Sequence, residues 1–281
     1  MNKSLLIEKA AKLSYNNGCL VVERADDKLS FPLCDVDTIV IDNCQSSVST
    51  ALIKALSEDK IDFIFCNEKH LPCSRLEDLR GSSVALAKLN EQLSWEVEQK
   101  ARAWQCVLNN KISNQAAMSK VLCGSELCSP SMSGAENQEG CFARAYFNKL
   151  FGKNFVRHAA DDINAMLNYG YSFLLSKSAR VISSRGYVGQ LGLHHCAKTN
   201  NNNFACDIME PFRPCVDKIV YYLRNEEFIR KYRLELMGVY NQTVYIDGKK
   251  YILSDAIEVY FDSVCAFLNR KSDKVATVAV A

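Results

Sequence analysis

Over the first seventy residues the apolar positions come in short runs divided by turn residues. Leu20-Val21-Val22 follows Asn16-Asn17-Gly18, and Leu29 to Leu33 follows the polar Ala25-Asp26-Asp27-Lys28, so both runs read as strands. Thr38 to Ile41 and Ile61 to Cys66 are short apolar runs of the type a buried strand uses. Between them, Ser49 to Leu56 places Leu52, Ile53 and Leu56 on one helical face. The pattern predicts a small β-rich N-terminal domain over residues 1–75, with one crossover helix and an end near His70.

Beyond Arg80-Gly81 the apolar period lengthens. Ser82 or Ser83 is placed to cap a long helix with Val84, Leu86, Leu89, Leu93, Val97, Trp104 and Leu108 as its apolar positions. A second helix is expected from Asn114 to Leu122, then a turn-rich stretch from Gly124 to Gly134 that contains Pro130. Ser133 and Glu136 fit a capping box opening a helix from about Gly134 to Leu150. Asp161 or Asp162 starts another, through Ile163, Leu167, Phe173 and Leu174 and ending before Gly186. Pro211 to Met237 is again helical in pattern. Asp247-Gly248, between Val244-Tyr245-Ile246 and Lys250 to Leu253, is a strong hairpin signal. A last helix, Ser254 to Arg270, is expected to bury Ile257, Val259, Phe261, Val264 and Leu268, with a frayed tail beyond Lys271. The fold class is therefore α+β: the small β-rich domain, then a larger, mainly α-helical one over residues 82–281.

Composition narrows this picture by exclusion. Apolar residues make up 48% of 281, enough for a real core in each part. No apolar run reaches the roughly 20 residues that span a bilayer. Glu8, Lys9 and Lys12 interrupt the apolar start, which is no secretory signal, so a cytoplasmic protein without membrane attachment is expected. The thirteen cysteines are odd in number, scattered among apolar neighbours and without any C-x-x-C pair. They read as reduced core thiols, and zinc-finger spacing is absent. A net charge of +2 decides nothing about nucleic acid, which a local basic stripe can bind on a neutral chain.

Candidate chemistry concentrates between Leu191 and Pro214, LGLHHCAKTNNNNFACDIMEPFRP. Two histidines, His194 and His195, stand on one side of the polar run Thr199 to Asn203, and Asp207, Glu210 and Arg213 on the other. A histidine and a carboxylate offered from the two sides of such a loop suit a divalent metal, with Glu139 of ENQEGCFARAYF as a third ligand. Each residue also has an ordinary use. Glu139 suits the positive end of its helix, Asp207 can cap a helix, and one histidine can be a hydrogen-bonded core residue. Glu210 precedes Pro211, which marks a bend, and Arg213 beside it suits a phosphate contact. Two rival uses are weaker. His195, Cys196, Cys206 and Cys215 have the residue types of a zinc site but no finger spacing, and Glu139 with Glu210 as a glycosidase pair lacks exposed aromatics for a sugar cleft.

Several blocks together carry a family resemblance. These are FPLCDVDTIVIDNCQSSVSTALIKAL and IDFIFCNEKHLP, then KISNQ, ENQEGCFARAYFNKLFG and INAMLNYGYSFL, and finally LGLHHCAKTNNNNFACDIMEPFRP. In these the chain resembles the CRISPR-associated protein one family, integrases and endonucleases that insert new spacers into CRISPR arrays. Its length and its EG, LGLHH and MEPFRP forms most resemble the type II branch, which works beside a single large RNA-guided nuclease. The resemblance implies a β-rich N-terminal domain that helps form a homodimer and a helical catalytic domain. It implies Mg²⁺ or Mn²⁺ held by Glu139, His195 and Glu210, with His195 chosen over His194 by its fifteen-residue step to the carboxylate. Asp207 matches an auxiliary acidic position, and Arg213 and Arg185 are the candidates for DNA contact. Implied partners are double-stranded DNA (prespacer and repeat), the smaller CRISPR-associated protein two, and other CRISPR adaptation proteins. Many members have glycine soon after the histidine, where this chain has Cys196-Ala197-Lys198. The expected reaction joins prespacer 3′-hydroxyls to the repeat by transesterification. A structure-specific metal-dependent nuclease and a non-catalytic DNA-binding scaffold are the alternatives.

Overall fold

The structure, a computed structural model, describes residues 3–59, 61–68, 70, 72–77, 84–127, 136–226 and 230–280. The chain divides into two compact units, Met1–Gly81 and Ser82–Ala281. The expected caps at Ser82 or Ser83 and at Ser133 with Glu136, and most of the turn-rich stretch around Pro130, lie outside what is described.

The first unit holds β1 (Lys3–Ile7), β2 (Lys12–Asn16), β3 (Cys19–Glu23), β4 (Lys28–Pro32), β5 (Val36–Ile41), β6 (Ser47–Val48), α1 (Thr50–Glu58), β7 (Asp62–Cys66) and β8 (Pro72–Arg75). Two sheets form, in orders β4-β3-β2-β6 and β1-β5-β7-β8. Asn17 and Gly18 both have positive φ, 46° and 78°, which is what a two-residue turn between β2 and β3 demands. The runs predicted as buried strands are β5 and β7, paired in parallel, with Ile39, Val40, Phe63 and Ile64 buried. Ser49 caps α1, its hydroxyl accepting from the Leu52 N–H at 3.3 Å. β1 and β2, outside the runs singled out in the sequence, are strands as well.

The second unit holds α2 (Ala85–Leu93), α3 (Val97–Cys123), α4 (Glu136–Phe151), α5 (Asp162–Ser184), α6 (Asn203–Met209), α7 (Arg213–Leu223), α8 (Arg230–Met237), β9 (Thr243–Ile246), β10 (Lys249–Ile252), α9 (Leu253–Leu268) and β11 (Val278–Val280). Asp161 caps α5 by accepting from the Asn164 N–H at 2.7 Å. Asp247 and Gly248 at φ 46° and 78° make the expected hairpin turn. Phe173 and Leu174 of α5, Phe204 and Ile208 of α6, and Ile257, Phe261 and Val264 of α9 are buried in its core.

Three expectations fail here for physical reasons. The helix expected from Ser82 or Ser83 to Leu108 breaks after Leu93, where the Ser94 hydroxyl donates to Glu91 O at 2.7 Å and Trp95 turns into the core. The indole of Trp95 donates to Asn269 at 2.8 Å and lies against Tyr187 and Phe204. Leu86, Leu93 and Val97, taken as apolar core positions, are 72%, 65% and 80% exposed. The second break, expected between Leu108 and Asn114, does not occur, and α3 runs on to Cys123. Nor does the tail fray: β11 pairs with β9 and buries Val278, in the sheet order β10-β9-β11. These last two outcomes have one cause. Asn110 of α3 donates to Ala276 O and accepts from the Val278 N–H, both at 3.0 Å, and Asn114 accepts from the Val280 N–H at 3.3 Å. Asn110 and Asn114, at the place where the break was expected, are the seats of the C-terminal strand.

A second buried polar group ties α7 to α4 and α5. Asp217 is fully buried and accepts hydrogen bonds from the hydroxyls of Tyr146, at 3.0 Å, and Tyr171. Burial pushes its carboxyl up to about 6, against the opposing pull of the two hydroxyls and of Arg213 and Arg157. Tyr146 thus packs the inner face of α4, as its position in the helix suggested.

Two outcomes follow for stability. Replacing Asn110 by Ala leaves Ala276 O and the Val278 N–H unpaired in the interior and should lower the unfolding free energy by about 2 kcal/mol in urea titrations. Asn109→Ala, one residue away and exposed, should change it by less than about 0.5 kcal/mol. Asp217 binds its proton more tightly folded than unfolded, where its pKa is 3.8. Its contribution is full below the unfolded value and is lost as pH rises through the folded one. Relative to Asp217→Asn, the native protein should therefore gain about 1 kcal/mol between about pH 7.5 and about pH 5. A difference that stays flat across that range would refute the buried, proton-hungry carboxyl.

Candidate active site

Four elements bring the candidate residues together. Glu139 stands in the second turn of α4, and Lys111 in the middle of α3. Glu210 opens a one-turn 3₁₀ segment, Glu210–Phe212, between α6 and α7, and Arg213 is the first residue of α7. Pro211 makes the bend that the sequence implied, and Asn114 of α3 donates to its carbonyl at 2.9 Å, so α3 fixes the turn that carries Glu210.

Glu139 and Glu210 meet at one cation. The Lys111 ammonium lies 2.5 Å from Glu139 Oε1 and 2.7 Å from Glu210 Oε2, and Arg213 pairs with Glu210 Oε1 at 2.8 Å. Lys111 and Glu210 are both buried. Burial alone would push Glu210 up, but Arg213 and Lys111 outweigh it and hold the carboxyl below its ordinary value. The same balance, read from the other side, raises Lys111: burial disfavours its charge, and Glu210 and Glu139 more than offset that. Lys111 thus supplies a positive charge at the buried Glu210 Oε2, and Arg213 supplies one at Oε1.

His195 is set by Asp207. That carboxylate is wholly buried on α6 and accepts from the N–H groups of Leu193, His194 and His195 at 2.6, 3.3 and 3.2 Å. Its Oδ1 also lies 2.6 Å from His195 Nδ1. This bond is the main reason the imidazole titrates above its ordinary value, against the effect of burial. With Asp207 accepting, Nδ1 carries the proton and Nε2 presents its lone pair. The polypeptide can wrap a carboxylate so closely only because residue 192 is glycine. A Cβ there would come within 2.6 Å of Asp207 Oδ2 and 2.5 Å of His195 O. Gln92 of α2 completes the clamp, donating to Val188 O and Leu191 O and accepting from the Val188 N–H. Asn203, expected in a wholly exposed polar run, is buried instead and donates to Gln190 O and Ala197 O.

His194 and His195 sit in different surroundings. His194 is exposed and stacks on the Trp104 indole, 4.5 Å between centroids and 3° between planes, while His195 meets the same ring edge-on at 5.8 Å. A cleft of about 420 Å³ opens beside His195, lined also by Gln92, Trp95, Lys100, Gly192 and Lys198. Its two lysines give it the sign a phosphodiester chain requires.

Arg213 overlies the Tyr171 ring at 4.8 Å as well as pairing with Glu210. Arg185 shares none of these partners; it pairs with Asp262 and Glu258 of α9. Among the described residues, no three His, Cys, Asp or Glu side chains stand close enough together to hold a metal ion as they are placed. That applies to the rival zinc set too, in which Cys206 takes a hydrogen bond from Asn200 and Cys215 is buried. The donor types at Glu139, Glu210 and His195 Nε2 nevertheless suit Mg²⁺ or Mn²⁺, and the buried Glu210 oxygens already stand against positive charge from Lys111 and Arg213. Sequence reasoning missed Lys111, Gln92 and Trp104. The one available signal was a row of polar positions, Asn110, Lys111, Asn114 and Gln115, inside a helix long enough to need a buried face.

Comparison with known proteins places these features. The family model described as CRISPR associated protein Cas1 matches residues 5–126 and 128–241. The CRISPR-associated endonuclease Cas1 of Neisseria meningitidis is 32% identical over 230 residues, covering 79% of this chain and 75% of its own length. A CRISPR-associated endonuclease Cas1 of Pyrobaculum aerophilum is 28% identical over 239 residues, covering 75% of this chain and 78% of its own. Among solved structures, a casposase bound to integration product superposes with a TM-score of 0.77 at 19% identity, over 97% of this chain and 92% of that one. A CAS1 protein from Thermotoga maritima superposes with a TM-score of 0.69 at 14% identity, over 95% and 97% of the two chains. These structures share the fold, and the family model and the Neisseria relative settle the lineage: the chain belongs to the CRISPR-associated Cas1 family.

Proposed function

We propose that this protein is a metal-dependent DNA integrase of CRISPR spacer acquisition, joining prespacer 3′-hydroxyl ends to the CRISPR repeat. The observation that carries the reading is the convergence of Glu139 and Glu210 on one cation, with His195 held nearby by Asp207. The relatives' name and the casposase likeness support it. In the reaction, a 3′-hydroxyl attacks a phosphodiester of the repeat. One P–O bond forms, another breaks, and the displaced 3′-oxygen takes up a proton. Glu139, Glu210 and His195 Nε2 would hold Mg²⁺ or Mn²⁺, which supplies Lewis-acid polarisation of the phosphoryl oxygen when bound.

The chain's own residues do the positioning. Asp207 fixes the ring and tautomer of His195, and Arg213 keeps Glu210 ionised and aimed. Arg213, partly exposed beside Glu210, is the proposed phosphate contact; Arg185 can play that part only if its pairs with Asp262 and Glu258 open. DNA enters by the lysine-lined cleft beside His195. The N-terminal unit is proposed to form a homodimer, and the smaller CRISPR-associated protein two to bridge such dimers. One structural neighbour is a Cas6-RT-Cas1–Cas2 complex, with a TM-score of 0.70. The likeness to the Neisseria relative accords with a type II system.

A strand-transfer assay tests this. Short DNA with free 3′-hydroxyls and a supercoiled plasmid bearing the repeat are incubated with Mn²⁺ or Mg²⁺ and the small partner. Joined, relaxed plasmid is expected from the native protein. Glu139→Ala and His195→Ala should each lower its yield about a hundred-fold or more, with folding retained. His194→Ala should keep joining, because the His194 ring stacks on Trp104 and only its backbone N–H, which alanine keeps, bonds to Asp207. The relatives named endonuclease also fit a plain nuclease, with water as nucleophile at the same residues. Cutting without joining identifies that activity, and DNA binding indifferent to chelator with no reaction identifies a scaffold.

A further inference from the structure

We propose that Lys111 is a built-in countercation. In the metal-free protein its ammonium fills the place between Glu139 and Glu210, and it yields that place when a divalent cation enters. The inference rests on the metal-binding reading above and adds a residue that the ligand set does not include.

Three observations support it. First, Lys111 is the contact that joins Glu139 on α4 to Glu210 at the α6–α7 junction, at 2.5 and 2.7 Å. Two converging carboxylates, one of them buried, repel each other unless a positive charge stands between them. Arg213 cannot serve, because it is paired with the other oxygen of Glu210 and its guanidinium lies over Tyr171. Second, the ammonium donates to Glu139 Oε1 at 2.5 Å and lies 2.7 Å from the buried Glu210 Oε2, so a single mobile side chain neutralises both facing oxygens. Third, the root of the side chain cannot shift. Asn110 and Asn114, on either side of it, are bonded to Ala276, Val278 and Pro211, so the exchange is confined to a flexible four-carbon stem.

Metal entry is then an exchange of one cation for another. Lys111 keeps the carboxylates converged while no metal is present, and competes with the metal for them. Removing it should weaken the metal-free protein and tighten metal binding together. A residue serving only to pack α3 would do the first without the second. A residue that merely prepares the site would loosen metal binding.

The test measures Mn²⁺ affinity by the loss of free-ion electron paramagnetic resonance signal, with thermal unfolding in parallel, and needs no DNA. Lys111→Met should bind Mn²⁺ about ten-fold more tightly than the native protein, since the metal then relieves an uncompensated buried charge. It should unfold at a lower temperature in chelator, with most of that deficit recovered at saturating Mn²⁺. Unchanged or weaker Mn²⁺ binding in Lys111→Met, with a deficit that metal does not relieve, overturns the inference. Should that variant not fold, the native protein answers directly. The Lys111 ammonium resonance, assigned with Lys111→Arg, should be present in chelator and move or vanish on adding Mg²⁺; a resonance indifferent to Mg²⁺ is the contrary result. Native protein that binds no Mn²⁺ overturns the metal reading itself, an outcome read without any variant.

Discussion

Polar side chains buried in the middle of a long helix have to find partners, and α3 distributes three of them along one face. Asn110 takes the C-terminal strand, Lys111 takes the two carboxylates, and Asn114 takes both the strand and the carbonyl of Pro211. Each unpaired group would cost about 1–3 kcal/mol, so these bonds fix the register of everything that lies on α3. The turn bearing Glu210, the tail that closes the small sheet and the α4 carboxylate are thereby referred to one rigid axis. The site gains its geometry from the same bonds that hold the helical unit together.

A second principle runs through the polypeptide around His195. There a single buried carboxylate organises a segment that has no regular secondary structure. Asp207 gathers three consecutive backbone N–H groups and the imidazole, and Gly192 gives it room. Burying a charge is tolerated where donors surround it. The reward in order is that an irregular loop presents one imidazole nitrogen in one tautomer. Asp217 shows the opposite balance. With two neutral hydroxyls as its direct donors and its cations further off, it is pushed toward the protonated form. Of these two buried acids, only Asp207 touches a candidate ligand.

Elements whose apolar pattern reported their burial were legible in the sequence, β3, β5, β7, α1, α5 and α9, and so were β4 and the β9–β10 hairpin, which their neighbouring turn residues announced. The errors came where polar residues were buried or apolar ones exposed. The break expected between Leu108 and Asn114 overlooked Asn110, which bonds a strand 168 positions later, a partner that no local pattern can show. Leu86, Leu93 and Val97 read as core and face outward. In the site, the candidate ligands were found through residue type and resemblance. Lys111 was not, although it stands within the quoted block KISNQ. A lone lysine on a helix is ordinarily a solvated charge, and only the approach of Glu139 and Glu210 from distant segments makes it otherwise.

The supports of the candidate ligands are unequal, and that inequality bears on how the site is assembled. His195 is held through Asp207, itself fixed by backbone donors, and Glu210 through Arg213, the Asn114–Pro211 bond and burial. Glu139, one-third exposed, is held by Lys111. The two better-supported candidates come from one continuous segment, residues 191–213, whereas Glu139 arrives on a separate helix. The candidate site is thus a prepared half facing a carboxylate that a single ammonium draws in. On the proposed reading, placing the adaptable member opposite the fixed pair would allow a cation to be received without disturbing the core, because the only part required to yield is a lysine stem.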